Sequence, residues 1–190
     1  MTKNRLEAFS DGVLAIVITI MVLELKVPEE PTFESLLKGL PLFLSYIISF
    51  IYIGIYWNNH HHLFHITQKV NGKILWSNLH LLFWLSLIPF TTAWLGESYS
   101  HSAPVSAYGF VLLMSSIAYN ILQHNILKNH DEKFILRNAI GKDFKGKASI
   151  LLNIIGVGVS FINTYIAIAA FVIVAAWWLV PEQRIEKISE

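Results

Sequence analysis

The stretch RLEAFSDGVLAIVITIMVLEL, residues 5–25, decides how this chain is read. From Val13 to Leu25 only Thr19 and Glu24 interrupt the apolar run, while Asp11 and Gly12 stand at its entrance. A helix over residues 6–27 is about 33 Å long at 1.5 Å per residue, enough to cross the hydrocarbon core. A plain lipid anchor needs neither a carboxylate at its mouth nor a hydroxyl in its middle.

The whole chain shares this membrane character. Of 190 residues, 54% are hydrophobic and 14% charged, and the mean hydropathy is +0.52. A soluble domain carries about 25% charged residues, so the polar shell of a soluble protein is missing. An all-α membrane protein follows. There is no cysteine, which excludes disulfides and thiolate metal sites. The net charge of +1 gives no reason to expect a nucleic-acid partner. The first apolar run is longer than a signal-peptide core and no small-residue cleavage site follows, so it is expected to stay as a helix.

Further spans are expected over residues 39–57, 74–95 and 105–127. Pro28-Glu29-Glu30-Pro31 ends the first, Asn58-Asn59-His60-His61-His62 follows the second, and Pro89 lies late in the third. The stretch from Ala148 to Val180 is too long for one ordinary crossing. Asn163-Thr164 near its centre predicts a turn between two short helices, 148–162 and 165–180. Six transmembrane helices in one domain, residues 1–190, are thus expected. With both termini cytosolic, twelve Lys and Arg residues fall inside and only Lys26 and Lys38 outside, a clear positive-inside bias.

On a helical wheel of the first span, Ile16, Ile20 and Leu23 fall within about 60° of one another. Thr19 borders this stripe, Gly12 and Arg5 lie on the same face, and Asp11 points away from it. The stripe is suited either to lipid and helix packing or to lining a narrow axial path. A carboxylate near a membrane segment calls for a partner. His60 and Asn78 lie on the same side of the membrane in the expected topology, so a polar cluster of Asp11, His60 and Asn78 is expected. It competes with a simple solvated interface.

His61, His62 and His65 form an H-H-x-x-H pattern, in which two histidines four apart share a helix face. A membrane oxygenase of the histidine-box type needs many more ligands on that side. His101, His124 and His130 do not supply them. A solvated histidine cluster is the preferred reading, with no metal, no cofactor and no enzyme activity expected. The phosphate-binding and nucleophile motifs of common enzymes are absent, as is the T-V-G-Y-G loop of standard potassium channels.

Three motifs carry a family resemblance. They are Arg5-x-x-x-Phe9-Ser10-Asp11, then Trp57-x-x-His60-x-x-x-Phe64, then Asn78-Leu79 followed by Leu87-Ile88-Pro89-Phe90-Thr91. In this order and spacing the chain resembles the potassium-channel family of transmembrane protein 175, lysosomal and bacterial. The resemblance implies a single-repeat bacterial type: a plasma-membrane homotetramer of six-helix subunits whose first helix lines the pore. It implies a potassium channel weakly selective over sodium, its partners being potassium ions, the lipid bilayer and other copies of itself. It places an aliphatic constriction at Ile16, with Thr19, Ile20 and Leu23 on the same pore face. Arg5, Phe9, Ser10, Asp11, Trp57, His60 and Asn78 then form the motif network that aims this face. His61 and His62 extend the motif histidine into a triplet. A histidine-box enzyme and a non-conducting membrane scaffold are the alternatives from other classes.

Overall fold

The computed structural model describes residues 2–130 and 144–179, and every described element is helical. The elements are α1 (Lys3–Leu23), α2 (Phe33–Lys38), α3 (Leu40–Ile66), α4 (Gly72–Ser86), α5 (Ile88–Ser98), α6 (Ser102–Lys128), α7 (Phe144–Val159) and α8 (Thr164–Leu179). Much of the basic segment between Lys128 and Lys147, and the chain from Val180 onward, lie outside the described residues. Among the described residues four helical stretches are long and apolar enough to cross a membrane: α1, α3, the α4–α5 pair and α6.

The second expected span, α3, is longer than its apolar run suggests. It continues past Trp57 to Ile66, so the three consecutive histidines are helical. The reason is burial: His60, Leu63 and Phe64 turn inward and are nearly inaccessible. Asn59 turns its amide back onto the Ile55 carbonyl at 2.8 Å instead of competing with the helix.

The third expected span is broken at Leu87 into α4 and α5, with Pro89 in the first turn of α5. Proline lacks the N–H that would continue the ladder and fits the opening turn of a new helix. The Ser86 hydroxyl donates to the Phe83 carbonyl at 2.7 Å at the junction, as expected where a membrane helix is interrupted. Short α2 was not foreseen. Thr32 starts it by accepting the Ser35 N–H at 3.2 Å.

The described part of the last apolar stretch, to Leu179, is divided between two helices, α7 beginning earlier than expected at Phe144 and ending at Val159, and α8 running from Thr164. Asn163 lies between them, and its side-chain oxygen accepts the N–H groups of Tyr165 and Ile166 at 3.0 and 3.1 Å. Each helix has 16 residues, about 24 Å, shorter than a hydrocarbon core of about 30 Å.

Without a hydrophobic force between helices in lipid, close approach and buried hydrogen bonds hold the bundle. The Phe171 ring of α8 is clamped between Gly109 of α6 and Gly156 of α7. A methyl group at either glycine would collide with this ring. A methyl group on Gly96 of α5 would likewise meet the backbone of Leu42, at 2.6 Å. A buried hydroxyl chain adds to this. Tyr108 lies 3.0 Å from Ser49, and Thr92 donates to Ser49 at 2.7 Å.

The helix ends gather at two poles. Lys3 Nζ donates to the His65 carbonyl, and the Gln68 N–H donates to His130. The start of α1, the end of α3, the start of α4 and the end of α6 therefore share one pole. Lys26 reaches Glu97 at the other, where Tyr99 also meets Tyr165.

Candidate functional site

α1 has two faces. Leu6, Ser10, Leu14, Val17 and Met21, at spacings of four and three, are buried against the rest of the subunit. This is the inward stripe of a helix packed on one side, and its neighbours are α3, α4 and α5. Ile16, Thr19, Ile20 and Leu23 all lie on the outward face. Ile16 is 59% exposed, Ile20 42% and Leu23 79%. Thr19 donates its hydroxyl proton to the Ile16 carbonyl at 2.9 Å. The proton is thereby turned back to the helix, and the oxygen lone pairs remain available outward.

Beside Ile16 and Ile20 runs a groove of about 470 Å³ toward the α4–α5 break. Glu24, Ser86, Pro89 and Phe90 also line it. The break thus lies beside the outward face of α1.

The motif residues meet at the other end of α1. His60 Nε2 lies 2.8 Å from the Asn78 amide oxygen. Asn78 Nδ2 donates to Ser10 Oγ at 2.9 Å, and Ser10 donates to the Leu6 carbonyl at 2.9 Å. Asn78 presents its oxygen to His60, so His60 carries its proton on Nε2. The result is a directed chain of donors from α3 through α4 into α1. All three side chains are essentially inaccessible to solvent.

Asp11 is not in this chain. The expected cluster of Asp11, His60 and Asn78 divides in two, because Ser10 faces inward and Asp11 lies about 100° further round the helix. The Trp57 indole N–H donates to Asp11 Oδ1 at 3.0 Å instead. Phe9 and Arg5 are exposed, and among the described residues Arg5 has no hydrogen-bond or ion-pair partner.

His61, His62 and His65 continue from Trp57 along the end of α3. His61 stacks on Trp57 at 6.2 Å between centroids and lies 6.1 Å from His65. Among the described residues no three His, Cys, Asp or Glu side chains are grouped to hold a metal.

The Lys26–Glu97 pair, 2.8 Å long, was missed in the sequence because its members are 71 residues apart. It ties the chain just beyond α1 to the end of α5. The hydrogen bond to Glu97, and then its charge, hold the Lys26 ammonium above its usual pKa. Both groups are exposed, so the pair adds little stability.

Comparison with known proteins places this arrangement. The family model for the endosomal/lysosomal potassium channel TMEM175 matches residues 5–89, the region holding the first two motifs and the third as far as Pro89. A potassium channel of Chryseobacterium is 58% identical over 187 residues, covering 98% of this chain and 97% of that protein. The chain belongs to the TMEM175 family. The TMEM175 fold is also present in the crystal structure of a lysosomal potassium-selective channel TMEM175 homolog from Chamaesiphon minutus. That structure has a TM-score of 0.83 and 30% identity, covering 95% of this chain and 97% of that one. A zebrafish endosomal/lysosomal proton channel TMEM175 is 36% identical over 96 residues, 44% of this chain but only 18% of that longer protein. The family consists of ion channels, so the histidine-box enzyme reading is set aside. The chain is a multi-pass membrane protein of this TMEM175 type.

Proposed function

We propose that this chain is one subunit of a homotetrameric potassium channel of a bacterial plasma membrane, weakly selective over sodium. In this reading residues 1–190 form one six-span channel domain with both termini cytosolic, and α1 lines the pore. The observation that carries it is the two-faced α1. A helix at a fourfold axis must pack one face on its own subunit and turn the other to the axis. Leu14, Val17 and Met21 supply the first face, and Ile16, Thr19, Ile20 and Leu23 the second.

Four Ile16 side chains make an apolar constriction that controls permeation by wetting and dewetting. Thr19, its proton already committed, offers an oxygen that replaces part of an ion's hydration shell. The Ser10–Asn78–His60 chain and the Asp11–Trp57 bond fix the rotation of α1 about its axis. Arg5, which has no partner among the described residues, braces α1 against a carboxylate of a neighbouring subunit. The potassium names of the bacterial relatives support the choice of ion.

Flux from liposomes holding purified protein tests this reading. Potassium flux should exceed sodium flux, and a proton gradient in a parallel arm measures proton passage. Equal potassium and sodium rates, or no flux across a range of pH and voltage, would overturn it.

A further inference from the structure

We propose that the groove between α4 and α6 binds the headgroup of an anionic phospholipid. The groove has a volume of about 890 Å³ and lies at the basic pole. Lys73, Trp76, Ser77 and His80 line it from α4, and Asn125 and Lys128 from α6. No carboxylate lines it among the described residues, and neither lysine is paired to one.

The site is built before any lipid arrives. Asn71 Nδ2 donates to Asn129 Oδ1 at 2.6 Å, which holds the start of α4 level with the end of α6. Asn71 also caps α4 by accepting the Ile74 N–H at 3.0 Å. The positive end of the α4 dipole therefore points to the same pole as Lys73 and Lys128. At the opposing end of α6 the Asn129 N–H bonds the carbonyls of Asn125 and Ile126, so those two carbonyls are engaged. His80 accepts the Trp84 indole N–H on Nε2 at 2.9 Å. Its ring proton is thus on Nδ1, a further donor. The Asn125 side chain has no partner among the described residues.

What lies beneath the groove selects a lipid over a free anion. Trp76 is 75% exposed one turn below Lys73, the position of an interfacial indole. Leu79 and Phe83 continue the exposed face of α4 into the membrane, and Ile121 that of α6. A phosphate between the two ammonium groups would send its acyl chains along this track. Basic pockets between helices on the cytoplasmic side are suited to anionic headgroups.

Lipid retention by the full chain in detergent tests this inference independently of conduction and of membrane orientation. The protein is incubated with an equal mixture of phosphatidylglycerol and phosphatidylcholine, washed, and its bound lipid is counted by native mass spectrometry. Phosphatidylglycerol should be retained preferentially. The double variant Lys73→Gln, Lys128→Gln should lose this retention about tenfold or more, given the contribution of each cation near a membrane surface. The paired variant Lys73→Arg, Lys128→Arg should keep it. Lys69→Gln with Lys147→Gln removes the same charge outside the groove and should leave it unchanged. Equal retention of the two lipids would overturn the assignment. So would an unaltered ratio in the folded Lys73→Gln, Lys128→Gln protein, or displacement of phosphatidylglycerol by inorganic phosphate at equal concentration.

Discussion

Asp11 takes its hydrogen bond from Trp57 at 3.0 Å, while its neighbour Ser10 takes one from Asn78 at 2.9 Å. Two consecutive residues of α1 thus reach two different helices. That fixes the rotation of α1 about its own axis, which a single contact would leave free.

The Asp11–Trp57 bond predicts a specific order of variants. Asp11→Asn keeps an acceptor oxygen, while Asp11→Ala and Trp57→Phe each remove one side of the bond. The latter two should lower stability by about 1 kcal/mol, less than a buried charge-assisted bond is worth because both groups are exposed. Thermal unfolding in detergent, read beside the tetramer fraction from light scattering, should rank Asp11→Asn nearest the parent. Asp11→Ala should reduce assembly more than it changes the flux of the protein that does assemble. Normal assembly with altered selectivity alone would contradict this bracing role.

The buried chain should be costlier to cut. Asn78→Ala strips His60 of its acceptor and Ser10 of its donor in a site closed to water. The expected loss is about 1–3 kcal/mol. Ser10→Ala should cost less, because one amide donor alone loses its partner. The double variant should cost less than the sum of the two, since they share a bond. Strict additivity in melting measurements would mean that these contacts are not coupled.

Phe171 predicts a packing defect of the opposite kind. Gly109→Ala or Gly156→Ala places a methyl group against its ring. Each should destabilise by about 1–3 kcal/mol through overpacking. Phe171→Leu in the Gly109→Ala background should recover part of the loss, and melting of the four proteins of this cycle measures it. No recovery would place the strain in the α6 backbone instead.

Much of this architecture was legible because composition and apolar run length are local signals. High apolar and low charged content marked the chain as membranous, and Asn163 marked the turn that splits the last stretch. The motif pairing was partly legible: His60 and Asn78 share a side of the membrane in any hairpin of two spans. Which of Ser10 and Asp11 meets them depends on the rotation of α1, and that follows from packing rather than from sequence. The extension of α3 beyond Trp57 was hidden for a related reason. Asn58 to His62 read as polar, yet only every third or fourth residue there is buried, and His60, Leu63 and Phe64 carry the helix on. The Lys26–Glu97 pair and the Gly109–Phe171–Gly156 clamp join distant segments, and no short-range pattern announces them.

Ile16 and Leu14 separate the pore reading from the lipid-facing one. They are two residues apart on α1 but lie on opposite faces, Leu14 buried and Ile16 59% exposed. Leu14→Ala should cost about 2–5 kcal/mol as a core truncation, while flux per assembled tetramer should stay near the parent's. Ile16→Ala should cost the subunit under about 0.5 kcal/mol, as at an exposed position. Yet it should raise resting potassium leak and admit larger cations, because four truncated side chains widen and wet the constriction. Thr19→Val removes an oxygen at nearly constant volume. It should narrow the difference between potassium and sodium rates without the leak. Paired flux and melting measurements on the three variants decide between the readings. If Ile16→Ala changed neither leak nor size exclusion in a folded tetramer, the outward face of α1 would belong to lipid and the pore would lie elsewhere.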